Sequence, residues 1–330
     1  MKTLRKTLLM LAVAISAVAC KAPEAQGPKL AVILYTVRNE MAADFKGTLE
    51  KVKEIGYEGV EFAGLFGNDP AQVKAWCDEI GLKPISAHVA LNEMRADIDK
   101  VISDYKTIGC EYIVVPYLET SDRPGTENFE NTLADIKAFA EKAKAAGLKM
   151  LYHNHDFEFV EMPDGTFGLD YMYNTIPADL LGAELDLCWV KYAGQDPCEY
   201  IAKYADRENV VHMKDYYATA KVEGDPYALI GQDEGGVEES PETAFEFRPV
   251  GMGLQSVSDI LKAVKNTDIE WIIVEQDEPS MGLSPLECAE LSYKVLEMVL
   301  ESGEDVQVEI GCCDGDCDCE DCQHNHEKTE

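Results

Sequence analysis

Residues 139–160 read FAEKAKAAGLKMLYHNHDFEFV. A helical run rich in Ala and Lys stops at Gly147, and an apolar, β-prone run follows at once. Glycine takes the left-handed conformation that ends a helix at little cost. The same junction recurs at Ile55-Gly56, Ile80-Gly81 and Ile108-Gly109. Its repetition predicts βα units feeding a parallel sheet. Working outward, eight strands are expected at 30–38, 57–64, 82–90, 110–118, 148–160, 181–190, 209–216 and 271–278. Helices are expected near 42–55, 70–80, 128–146 and 285–300, with another ending near 108. Eight units favour a closed (β/α)8 TIM barrel over an open doubly wound sheet. The open sheet would carry a glycine-rich phosphate turn after its first strand, and LYTVRNE (34–40) has none.

The barrel is expected to occupy 30–302, with insertions at about 160–170 and 217–250. Both follow strands, so both belong to the C-terminal face where barrel sites lie. The second reads equally as a lid over the site or as a solvated loop. Hydrophobic residues make up 46% of 330 residues, enough for a large core. Asp and Glu total 62 against 29 Lys and Arg, a formal charge of −33. Nucleic-acid binding requires Lys and Arg to neutralise phosphates, so no nucleic-acid partner is expected. Residues 1–19 pair a positive start (Lys2, Arg5, Lys6) with a short apolar run. That run is too short to span a membrane. Ala17-Val18-Ala19-Cys20 resembles a bacterial lipobox. The expectation is an exported lipoprotein, periplasmic or outer-membrane anchored, acylated at Cys20, with 20–29 as a tether; an ordinary secretory signal is the alternative. The tail, 303–330, is acidic and carries Cys312, Cys313, Cys317, Cys319, Cys322, His324 and His326. These are soft-metal ligands by type, in no recognisable zinc spacing.

Strands of a parallel barrel are buried on both faces and should be nearly all apolar. Yet ionisable residues collect toward their C-terminal ends: Glu61, His88, His153 to Glu158, Asp186, His212, Lys214 and Glu275. A buried charge is unfavourable unless paired or bound to metal. Closing the barrel would bring His153, Asp186, His212 and Glu275 together around one ion. Mixed imidazole and carboxylate ligation suits a transition metal better than calcium. Lys214 follows His212 by two and shares its inward face.

The motifs SAHV (86–89), YHNHDFEF (152–159), ELDLCWV (184–190), HMKD (212–215), PVGMG (249–253) and VEQD (274–277) together resemble the xylose isomerase-like sugar isomerase/epimerase superfamily. The resemblance runs from about 30 to 300. It implies one divalent metal (Mn, Co, Mg or Zn) held by His153, Asp186, His212 and Glu275. The family commonly has Glu where this chain has His153, so only Glu275 remains of its pair of facing glutamates. Glu275 is then the expected proton acceptor, with Glu158, Lys214, Glu61 or His88 as the second group. Tyr35, Glu61, His88, His155, Trp189 and Lys214 are expected substrate contacts. Each has a plainer reading in packing or ion pairing, such as Glu61 with Arg38 or Lys214. Asn154 is expected to orient ligands.

The leading expectation is a sugar isomerase or epimerase that removes a proton beside a carbonyl. A keto-sugar lyase or hydratase on the same site is the alternative. A non-catalytic sugar- or metal-binding lipoprotein is the third. The expected partner is a small sugar or keto-sugar, and homo-oligomerisation stays open.

Overall fold

The computed structural model describes residues 27–219 and 245–306. The leader with Cys20, most of the second insertion and the Cys/His cluster of the tail lie outside the described residues.

Eight parallel strands form the barrel: β1 (Lys29–Ile33), β2 (Gly59–Phe62), β3 (Lys83–Ala87), β4 (Tyr112–Val115), β5 (Lys149–His153), β6 (Leu181–Asp186), β7 (Glu208–Met213) and, after a two-stranded ribbon, β10 (Trp271–Val274). Their hydrogen-bonded order is β3-β2-β1-β10-β7-β6-β5-β4. A parallel bridge between His88 and Val114 joins the two ends, backed by Val89 N–H donating to Val114 O at 3.0 Å. The helices wrap this sheet: α1 (Arg38–Ala43), α2 (Phe45–Ile55), α3 (Pro70–Ile80), α4 (Leu91–Ile108), α5 (Phe129–Ala146), α6 (Gly168–Thr175), α7 (Leu187–Tyr192), α8 (Pro197–Tyr204), α9 (Val257–Val264) and α10 (Pro285–Ser302).

Local chemistry sets these boundaries. Helices α3, α8 and α10 begin with Asp69, Asp196 and Ser284 accepting backbone N–H groups, each followed by a proline suited to the first turn. Helix α5 ends at Gly147 with φ 86°, a value that disfavours any residue bearing a Cβ. Outward strand residues and inward helix faces merge into one large apolar layer. Inside the barrel, Ala31, Ile33, Ile85, Val114, Leu151, Val210, Trp271 and Ile273 form a separate plug. The strand period of two then places the next inward residues above this plug, at the C-terminal mouth.

Several strands stop earlier than their apolar patterns suggest. The first ends at Ile33, and Tyr35 and Arg38 lie in the turn and helix that follow. The fifth ends at His153, so Glu158 sits on a 3-10 turn, Phe157–Phe159. The sixth ends at Asp186, so Trp189 lies on α7. The expected helix at 42–55 divides at Asp44, whose side chain accepts from Gly47 N–H. After β7 the chain leaves the barrel as β8 (Asp215–Ala218), which pairs antiparallel with β9 (Phe245–Arg248).

Candidate metal centre

The register of the sheet assembles the centre. His153 lies opposite Glu184, Asp186 opposite His212, and His212 opposite Ile273. Four ligand atoms from His153, Asp186, His212 and Glu275 lie within 4.8 Å of one another, and all four residues are buried. His212 Nδ1 is 2.9 Å from Glu275 Oε2. His153 Nε2 is 3.6 Å from Asp186 Oδ2 and 3.8 Å from Glu275 Oε2.

Asp186 shows that this set fits a cation. Its Oδ1 caps α7, accepting from Cys188 N–H at 2.8 Å and Trp189 N–H at 3.1 Å. Its Oδ2 is buried without a hydrogen-bond partner. A buried carboxylate oxygen left without a donor is costly, and a divalent cation would satisfy it. Burial pushes the Asp186 carboxyl up to about 7, against the pull of Lys214. Burial also opposes the Glu275 charge, but Lys214 and His212 outweigh it and hold Glu275 well below the ordinary carboxylate range. Burial pushes His153 down to about 3, which keeps its imidazole neutral as a metal ligand requires. Asn154 locks strand ends together: its Oδ1 accepts from Asp186 N–H at 3.1 Å, and its Nδ2 donates to Asp186 O at 3.3 Å.

Lys214 is fully buried beside this set. Its Nζ lies 2.7 Å from Asp277 Oδ2, 3.3 Å from Glu275 Oε2 and 3.6 Å from Asp186 Oδ2. The ammonium also faces the rings of Phe247 and Trp189 at 4.9 and 5.5 Å. Burial opposes the charge, but the Asp277, Glu275 and Asp186 carboxylates outweigh it and keep Lys214 protonated.

The remaining predicted residues divide. Glu61 and His88 join the centre: Glu61 Oε2 is 2.7 Å from His212 Nε2 and 3.2 Å from His88 Nε2. Glu61 therefore pairs with histidines, and neither Arg38 nor Lys214 is its partner. Arg38 instead donates to Asp277 O and Glu278 and covers the Tyr35 ring at 4.5 Å. His155 is buried beside His153, stacked on Phe157. Trp189 is fully buried in an aromatic cluster with Tyr192, Tyr216 and Phe247. Glu158 is not brought to the centre. It accepts from Tyr152 Oη at 2.5 Å and from His155 N–H at 2.8 Å, and burial pushes its carboxyl up to about 8. Tyr152 points out of the barrel, opposite to its neighbour His153.

Two inward carboxylates, Glu184 and Asp277, were absent from the expected set. Glu184 stands two residues before Asp186 on β6, so the strand period could have found it; Asp277 lies two residues after Glu275, past the end of β10.

The sequence profile of the family described as xylose isomerase-like TIM barrel matches residues 49–297. The inosose dehydratase of Geobacillus kaustophilus is 22% identical over 274 residues, spanning 76% of this chain and 86% of that one. The crystal structure of a sugar phosphate isomerase/epimerase from Parabacteroides distasonis has a similar fold. It superposes with a TM-score of 0.63 at 20% identity, covering 86% of this chain and 98% of its own. The IOLI protein, solved with a bound zinc atom, gives 0.60 at 18% identity, covering 83% and 98%.

Proposed function

This chain belongs to the xylose isomerase-like TIM barrel family, and within it we propose a divalent-metal-dependent lyase that removes water from a free keto-sugar or keto-cyclitol. His153, Asp186, His212 and Glu275 would hold the cation, which when bound supplies Lewis acidity that favours loss of a proton beside a carbonyl.

One observation carries the choice of water loss over isomerisation: a base and an acid stand side by side. Glu275 Oε2 and Lys214 Nζ are 3.3 Å apart on neighbouring strand ends. Glu275 takes the proton next to the carbonyl. The electron pair of that C–H bond becomes the new C=C bond, and the C–O bond at the adjacent carbon breaks. The departing hydroxyl takes a proton from Lys214 and leaves as water. Lys214 then regains its proton from Glu275 across the same gap. Asp277 holds the lysine in place throughout. Epimerisation asks instead for bases on opposite faces of the substrate. His153 stands where the family resemblance implies the second of these. Similarity to an inosose dehydratase supports the same reading.

The proposal extends to location. An exported chain acylated at Cys20 would meet unphosphorylated sugars, which suits a substrate without negative charge.

The test incubates the manganese-loaded protein in heavy water with free ketoses, 3-keto-glycosides and keto-cyclitols. The expected result is an ultraviolet-absorbing unsaturated ketone, formed by the parent and reduced about 100-fold or more in Glu275→Gln and Lys214→Met. Deuterium uptake with an inverted or shifted carbonyl and no loss of water would replace the lyase by an isomerase. Neither reaction on any of the three classes would overturn both.

A further inference from the structure

Two of the carboxylates around Lys214 stand on backbone that the barrel ladder no longer holds. The pairing of β1 with β10 ends at Val32 and Val274, and that of β7 with β10 at Met213 and Val274. Beyond them the sheet supplies one bond, from Glu275 N–H to Met213 O at 3.3 Å. Residues 275–278 belong to no strand or helix. Yet they carry Asp277 Oδ2, 2.7 Å from Lys214 Nζ, and Glu275 Oε2, 3.3 Å from it.

The turn after β1 supplies the missing hold. Thr36 is buried, and its Oγ1 accepts from Gln276 N–H at 3.1 Å. Arg38 Nη1 donates to Asp277 O at 2.6 Å, and Nη2 donates to Glu278 Oε1. Residues 276, 277 and 278 are thus gripped in succession from one side. Nη1 also donates to Tyr35 O at 3.2 Å, and the guanidinium lies over the Tyr35 ring. Arg38 is therefore fixed to its own turn as well as to the segment it holds. The turn is anchored in its place: Leu34 N–H donates to Glu61 O at 2.9 Å, and the N–H groups of Thr36, Val37 and Arg38 bond to Ile33, Leu34 and Tyr35 carbonyls. The ion pair with Glu278 is partly exposed and contributes little by itself. The bond from a charged donor to the Asp277 carbonyl is the stronger tie.

We propose that Thr36 and Arg38 are positioning residues that clamp segment 275–278 and so set where Glu275 meets the cation and Lys214. Neither touches the reacting atoms. The part Glu275 plays in proton transfer rests on the reading above, whereas its place in the buried ligand cluster rests on geometry alone. A displacement of about 1 Å in a reacting group lowers the rate on the order of 100-fold. Groups that hold a metal ligand in orientation typically change metal affinity about 10- to 100-fold when removed.

Manganese binding and turnover of the full chain test the clamp together. Manganese prefers oxygen and imidazole to thiolate, so the tail cysteines compete weakly. Arg38→Ala should raise the manganese dissociation constant about 10-fold. It should lower kcat for water loss about 10- to 100-fold, with KM within about twofold of the parent. Millimolar guanidinium should restore much of both, and an equal concentration of sodium chloride neither. Thr36→Val keeps the side-chain shape and removes the acceptor, so it should weaken manganese binding in the same direction with no response to guanidinium. Manganese affinity is read without substrate, so it decides the clamp even if no keto-sugar is dehydrated. Parent manganese affinity in either variant would overturn the proposal. So would a loss in Arg38→Ala that guanidinium leaves unchanged, since that marks a general loss of structure rather than of one donor.

Discussion

Asp122, away from the metal centre, gathers four hydrogen bonds. It accepts from Arg95 Nη1 at 2.8 Å and Nη2 at 3.0 Å, from Asn128 Nδ2 at 2.8 Å and from Thr132 Oγ1 at 2.9 Å. Arg95 holds its carboxyl below the ordinary range against burial, helped by Thr132 and Asn128. A depressed folded pKa stabilises the fold above the unfolded value, about 3.9. That contribution is lost as pH falls through the folded value. Asp122→Asn should therefore lose about 1–3 kcal/mol at neutral pH, read as a lower urea midpoint, with the gap to the parent closing in acid. A gap equally large at pH 3 would refute the argument. At this scale the sequence showed the ligand residues because charge inside an apolar strand stands out. Glu158 and Trp189 misled for a physical reason. Their apolar neighbours continue past the strand ends, and apolarity alone does not separate a buried strand from a buried helix.

The ribbon β8–β9 is fixed by one side chain. Asp215 accepts four backbone N–H groups, from Tyr216 at 2.8 Å and from Gly251, Gly253 and Gln255 at 3.0 Å each. It thereby ties the end of β7 to the PVGMG turn beside Lys214. A Cβ at Gly253 would stand 2.3 Å from Asp215 Oδ1 and 2.4 Å from Tyr216 O. Gly253→Ala should therefore break this tie and destabilise by about 1–3 kcal/mol. In thermal melts, Gly64→Ala, which meets no atom within 4 Å but has φ 87°, should show a smaller loss. A loss at Gly253→Ala no larger than at Gly64→Ala would mean that the contact with Asp215 gives way more cheaply than the clash implies. Elements of this kind were only half legible. The helix–glycine junctions announced the βα repeat, whereas the second insertion carried no pattern that foretold pairing between 215–218 and 245–248. That pairing depends on Asp215 and on residues distant in sequence, which periodicity does not register.

Across the molecule the charge of −33 creates a repulsive field for anions that salt screens. Turnover of a neutral keto-sugar should change little between low and high ionic strength. An acidic analogue should be a poor substrate whose kcat/KM rises with salt. An anionic compound preferred at low salt would contradict this and redirect the search for a substrate. The same scale holds the anchor expectation. Cys20→Ser should move the expressed full chain from the membrane fraction to the soluble one if Cys20 is acylated, and unchanged partitioning would remove that reading. The barrel itself was the most legible feature, because eight repeats of one unit reinforce each other. Closure was less so, since between β3 and β4 it rests on the His88–Val114 bridge and on two backbone bonds, from Val89 to Val114 and from Glu111 to Ile85.

The antiparallel ribbon has a consequence for how this protein can vary. Because Ala218 pairs with Phe245, the chain leaves and re-enters the barrel at one place. Whatever sequence lies between is a cassette whose ends are already joined. Doubling the length of such a closed loop adds only about 0.6 kcal/mol of closure entropy. Segments of quite different length and composition can therefore be exchanged at this port without disturbing the strands that carry the metal ligands.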